Sequence, residues 1–299
     1  MSPDPAPLPA SIAALPRAAF RFRAGDSDYD LTRRALVVGI VNVTPDSFSD
    51  GGRWPDPEAA LAHALALVEE GADLLDVGSE STRPGAAPVS AEEELARVRP
   101  LLERLCPRSP VPVSIDTVKP AVAEAALELG ARIINDVGGL REPGTGGLPA
   151  MAQLAARHGA SLFVMHMQGD PRTMQTAPRY GDVLDEVGDF LAYAAVRAQA
   201  AGIPHECLAL DPGIGFGKTL AHNLALLRGV DALAGRGYPV LVGVSRKRLF
   251  GDLLGLPVDQ RVEAGLAAAV AAVLRGARLV RTHDVRATAR ALRTAEALL

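Results

Sequence analysis

Cysteine is scarce: two residues, Cys106 and Cys207, stand far apart in a chain of 299. With no CxxC and no Cys/His spacing, neither a disulfide framework nor a zinc site is indicated, and both read as buried thiols in a reducing compartment. Excess positive charge is also missing. A net charge of -4 and a pI near 5.9 exclude nucleic acid or a polybasic membrane surface as the main partner. No apolar run is long enough to span a bilayer. The start, with Pro3, Pro5, Pro7, Pro9 and Pro16, lacks the basic and apolar regions of a secretory signal. Residues 1–20 are therefore expected to be a disordered tail, and the protein to be cytoplasmic. A nucleotide loop is absent too. "DPGIGFGKT" (211–219) resembles one, but the register that ends in Gly217-Lys218 places Pro212, which has no N–H, where the first glycine belongs.

What the chain does have is rhythm. Eight short apolar runs, "ALVVGIVNV", "DLLDVG", "VPVSID", "RIINDV", "SLFVMHM", "CLALDP", "PVLVGVS" and "RLVRTHD", alternate with Ala/Leu-rich segments of helical spacing. Gly71, Gly130, Gly159 and Gly202 fall where left-handed helix caps belong. Asp56, before Pro57, and Asp284 read as N-caps. Eight strand-helix units over residues 36 to 299 predict a single (β/α)₈ TIM barrel (21–299) with a short N-terminal extension, close to the roughly 250 residues typical of that fold. An open doubly wound sheet is the alternative, although no dinucleotide glycine fingerprint opens the first unit. Three loops, 43 to 56, 78 to 90 and 167 to 180, are long enough to be lids or binding loops.

Barrel chemistry sits at the carboxyl ends of the strands. Those ends carry Asn42, Asp76, Asp116, Asn135, His166, Asp211, Lys247, Arg281 and His283. Any one of them alone suits a turn or a cap as well as a ligand. Together they form a ring about one mouth. His166, between methionines, reads as a packed barrel-top residue. Lys247 is one of only 3 lysines among 31 cationic residues, which suggests that a compact ammonium is wanted there. Asp116, Asn135 and Asp211 suit the N–H edge of a flat heterocycle, and Lys247 its carbonyl or ring nitrogen. Arg83, Arg281 and His283 suit a phosphate, with Asn42 an oxygen ligand for Mg²⁺. A heterocycle at one end and a phosphate at the other describe group transfer.

"VNVTPDSFSDGG", "DVGSESTRPGA", "SIDT", "IND", "MHMQG", "DPGIGFGK", "GVSRK" and "RTHDV" occur in the order, and over most of the length, in which the dihydropteroate synthases carry them. The chain resembles that family. The resemblance implies a Mg²⁺-dependent, homodimeric barrel that condenses 6-hydroxymethyl-7,8-dihydropterin diphosphate with p-aminobenzoate and is blocked by sulfonamides. It implies a catalytic set of Asp116, Lys247, Arg281 and His283, and pterin contacts from Asp116, Asn135, Asp211 and Lys247. Asp76, Met165 and Gly215 join the substrate-binding set, with Asn42 at the metal. Thr82, Arg83 and Pro84, and the first loop with Thr44, Pro45, Asp46, Ser47 and Phe48, would close over p-aminobenzoate, with Phe216 lining its pocket. Arg248 stands where the family often has a serine. Two rivals remain: a pterin-dependent methyltransferase, which needs no diphosphate site, and a non-catalytic pterin-binding paralogue, which would lack part of the cation set or of the first-loop motif.

Overall fold

The computed structural model describes residues 20–43, 56–80, 89–141 and 147–298. The expected tail, the loop residues Thr44, Pro45, Asp46, Ser47 and Phe48, and the trio Thr82, Arg83 and Pro84 lie outside the described residues.

An antiparallel hairpin comes first, β1 (Arg21–Ala24) and β2 (Ser27–Asp30), turning at Gly25 with φ 58°. Its strand β1 alternates exposed and buried positions, which places Phe22 in the core, 5.5 Å from the Phe163 ring. Ser161 donates its hydroxyl to the Arg23 carbonyl, and Tyr29 Oη donates to the Asp73 carbonyl at 3.2 Å. These partners lie at or just before the starts of barrel strands, so the hairpin covers the amino end of the barrel. The opposite end is left for chemistry.

Eight parallel strands close into that barrel: β3 (Leu36–Asn42), β4 (Leu74–Gly78), β5 (Val113–Asp116), β6 (Ile133–Asp136), β7 (Ser161–Met165), β8 (Leu208–Asp211), β9 (Val240–Gly243) and β10 (Ala277–Thr282). Their order follows the chain, with β10 pairing β3 to complete the ring. All eight runs read as strands are strands. Burial on both faces explains why they are continuous Val, Ile and Leu rather than alternating.

Helices wrap the outside: α1 (Pro57–Glu69), α2 (Ala91–Leu105), α3 (Pro120–Glu128), α4 (Ala150–His158), α5 (Val183–Ala200), α6 (Leu220–Arg228), α7 (Val230–Ala234), α8 (Leu249–Leu254), α9 (Val262–Leu274) and α10 (Val285–Ala297). Asp56 caps α1 as expected, accepting from Glu58 N at 2.9 Å. Gly71, Gly130, Gly159 and Gly202 all have positive φ. Asp284 departs from expectation. It occupies the N-cap position of α10, but its carboxylate bonds no helix N–H. Arg246 Nε (3.1 Å) and Ser245 Oγ (3.3 Å) take it instead, tying the β9 loop to the end of β10. No described helix is long and apolar enough to cross a membrane.

Candidate active site

Strand register decides which polar groups meet. Asp76 pairs Ser114 across β4 and β5, and Asp116 pairs Asn135 across β5 and β6, so successive strands lift their polar ends around one mouth. Asp76 is fully buried and accepts from Asn135 Nδ2 at 3.0 Å. Two strands round the ring from β4, Arg281 on β10 reaches past β3, its Nε 2.5 Å from Asp76 Oδ2 and its Nη2 2.8 Å from Asp116 Oδ2. One guanidinium thus bridges two carboxylates, the geometry for which a planar fork is suited. Burial lifts the Asp116 carboxyl to about 7, with Arg281 opposing and Asp76 adding to the rise. Burial works against the Arg281 charge, but Asp76 and Asp116 outweigh it and raise its pKa. Asp76 Oδ1 is buried with no hydrogen-bond partner among the described residues.

The other half of the mouth is built on the glycine turn after β8. Asp211 Oδ1 accepts from Gly213 N at 2.6 Å, which fixes the carboxylate at its strand end. Burial raises its pKa, opposed by that hydrogen bond and by Lys247. Gly213, Gly215 and Gly217 have φ of 66°, 86° and 62°, the left-handed region that glycine enters without strain. Lys247, in the β9 loop, donates Nζ to the Ile214 carbonyl at 2.8 Å and lies 4.2 Å from the centre of the Phe216 ring. Burial lowers its pKa to about 8, while Asp211 pulls the other way. Met165 belongs to a small buried group with Val137, Met167 and Met174, and Phe216 packs on it as an apolar wall.

His283 stands on the same rim, its Nδ1 3.1 Å from Ser245 Oγ. Asn42, at the end of β3, is partly exposed. No group of three or more His, Cys, Asp or Glu side chains arranged for a metal occurs among the described residues. A lone amide oxygen fits a cation that brings its remaining ligands with the substrate. Arg248 pairs with Asp252 at the surface at 3.4 Å.

Lys218 and His166 are the pair that sequence reasoning left unconnected. Lys218, taken there for part of a phosphate-loop look-alike, is buried, with Nζ 2.9 Å from His166 Nδ1. His166 is packed as expected, edge-on to Phe190 at 4.9 Å. Burial, with Lys218 second, drops its pKa to about 3, which leaves a neutral ring whose Nδ1 can accept. Burial also lowers Lys218 to about 7, with Asp211 opposing. The loop 167 to 180 is bound into this region rather than standing clear. Gln175 Nε2 donates to the Gly215 carbonyl at 2.6 Å and Tyr180 Oη to the Gly217 carbonyl at 2.9 Å.

Acids, an amide and cations from several strand ends thus gather at one barrel mouth. Residues 38–283 fit the family model described as pterin binding enzyme. The dihydropteroate synthase of Escherichia coli (strain K12) is 47% identical over 263 residues, 88% of this chain and 91% of that protein. The chain belongs to the dihydropteroate synthase family. Among solved structures, the Xanthomonas albilineans dihydropteroate synthase with 4-aminobenzoic acid superposes at TM-score 0.85 and 47% identity, covering 94% of this chain and 98% of that one. The same organism's enzyme in complex with 7,8-dihydropteroate gives TM-score 0.81 at 45% identity, covering 93% of this chain and 98% of that one. The fold expected from the sequence is the family's, and the chain is a transferase. Dihydropteroate synthesis is its function.

Proposed function

We propose that the mouth divides its labour between a pterin held by the acids and a diphosphate held by the cations. Asp116, Asn135 and Asp211 accept from or donate to the heterocycle's edge, and Lys247 donates to its carbonyl or ring nitrogen. Arg281 and His283 would hold the leaving anion, with roles there for Asn42 and for the positive charge of Arg83. The observation that carries this reading is the Arg281 bridge: one guanidinium bonds two buried carboxylates, Asp76 and Asp116, at the mouth where anionic charge would develop.

In the reaction we propose, the C–O bond between the pterin methylene and diphosphate breaks first, its electron pair leaving with oxygen. The pterin stabilises the resulting cation. The p-aminobenzoate nitrogen then forms the C–N bond with its lone pair, and the resulting ammonium gives up its proton to the released diphosphate or to water. The arylamine is neutral at pH 7, so the site needs no strong general base. The apolar wall of Met165 and Phe216 excludes water, which would otherwise trap the cation. Mg²⁺ would neutralise charge on the diphosphate, and Asn42 would be the side chain that helps to hold it, beside the substrate phosphates and water. We further propose a homodimer, supported by the exposed Leu253, Leu254 and Val258, and a cytoplasmic location, where Cys106 and Cys207 stay as free thiols.

Calorimetry with the dihydropterin diphosphate, with and without Mg²⁺, followed by p-aminobenzoate, tests the division. Pterin binding that is indifferent to Asp211→Asn would remove the acid half of it. Diphosphate release in the presence of both substrates separates the synthase reading from methyl transfer.

A further inference from the structure

Lys218 directs its Nζ wholly at protein. It has three partners, as many as an ammonium has protons: His166 Nδ1 at 2.9 Å, the His166 carbonyl at 3.3 Å and the Phe216 carbonyl at 3.0 Å. None is left to donate to a ligand. Two of these acceptors sit just past the end of β7 and the third lies in the glycine turn after β8. The ammonium therefore fastens one strand end to the neighbouring turn. The backbones there are already in close approach. A Cβ on Gly213 would lie 1.9 Å from the His166 carbonyl oxygen, and one on Gly217 2.5 Å from the Gln168 carbonyl oxygen. The fastened turn carries the Phe216 ring and the Ile214 carbonyl that holds Lys247.

We infer that Lys218 is a positioning residue for the second substrate: it fixes the height of the Phe216 ring above the mouth, and with it the arylamine pocket. The inference rests on the proposed reading that Phe216 lines that pocket. Asp211 bonds Gly213 at the strand end of the turn, nearer β8 than the Phe216 carbonyl that Lys218 holds, so the pterin end should be less affected than the arylamine end.

The test is steady-state kinetics of Lys218→Met, Phe216→Ala and the double variant. Lys218→Met should raise KM for p-aminobenzoate by about tenfold, about 1.4 kcal/mol, with KM for the dihydropterin diphosphate within about twofold. In the Phe216→Ala background the same substitution should add little, because the ring it positions is gone. If Phe216→Ala leaves the p-aminobenzoate KM unchanged, the pocket reading itself is wrong. If Phe216→Ala raises that KM but Lys218→Met lowers only the melting temperature, or raises both KM values equally, Lys218 is a structural lysine and the inference is lost. Should Lys218→Met fail to accumulate as folded protein, Lys218→Gln, which keeps two donors, takes its place with the same readouts and the same outcomes.

Discussion

Removing the guanidinium of Arg281 should expose how much of the mouth's charge depends on it. Arg281→Met leaves Asp76, fully buried, and Asp116 without the cation that bonds both, at 2.5 and 2.8 Å. Deleting one partner of a buried ion pair costs about 3–5 kcal/mol. That cost should vary with pH in a defined direction. The Asp116 carboxyl sits at about 7 in the folded protein, against roughly 3.9 when unfolded, so the folded state binds its proton more tightly. Stability contributed by such a group is fully present below the unfolded value and is lost as pH rises through the folded one. In the wild type this loss is complete a little above pH 7. In the variant, with Arg281 no longer opposing, the folded carboxyl moves higher and the loss continues. The stability difference should therefore be smallest near pH 6 and grow above pH 7 by up to about 1.4 kcal/mol per pH unit, until the variant's own carboxyl ionises. Urea unfolding followed by far-UV circular dichroism at the two ends of that range measures it. Adding Asp116→Asn to the variant should flatten most of the dependence. A stability difference equal at both pH values would refute the reasoning, since Arg281 would then be acting as packing rather than as counter-charge.

Asp211→Asn replaces a charged acceptor with an amide that offers one donor to the same edge, and should weaken pterin binding by at least about 1–3 kcal/mol in calorimetry, with little change in the p-aminobenzoate KM. Gly213→Ala would drive a methyl to 1.9 Å from the His166 carbonyl oxygen at a φ of 66°, so folded yield and melting temperature should fall severely; an unchanged melting curve would mean the turn is softer than drawn. Chelation of Mg²⁺ should cut turnover while leaving the melting temperature of the ligand-free protein unchanged, because among the described residues no acidic cluster binds a metal for structural purposes. A large loss of stability on chelation would point to a structural ion instead.

Much of this architecture is written locally. Each barrel strand is a short run of Val, Ile and Leu because both its faces are buried, and each ends where the chain turns polar, so strand positions and the ring of strand ends can be read together. Asp56 is similarly local: an acceptor, then Pro57, then a helix. Contacts between distant positions are not written that way. Lys218 meets His166 across 52 positions, and no spacing rule connects them. The Asp284 reading had the right place and the wrong partner, because Arg246 adopts a left-handed φ of 55°, rare outside glycine, and lies close enough to claim the carboxylate. Arg281 carries a comparable lesson. Its charge and strand were legible, but not that Asp76 and Asp116 would both hold its guanidinium.

The shortage of lysine has a practical side. All three are engaged: Lys119 between Glu80 and Glu94, Lys218 beneath the glycine turn, Lys247 at the mouth. Every other positive side chain among the 31 Lys and Arg residues is an arginine, inert to reagents that acylate amines. Lys247, lowered to about 8, offers a neutral nitrogen at mildly alkaline pH, so its rate of acylation, resolved by peptide mapping, reads directly whether the mouth is filled.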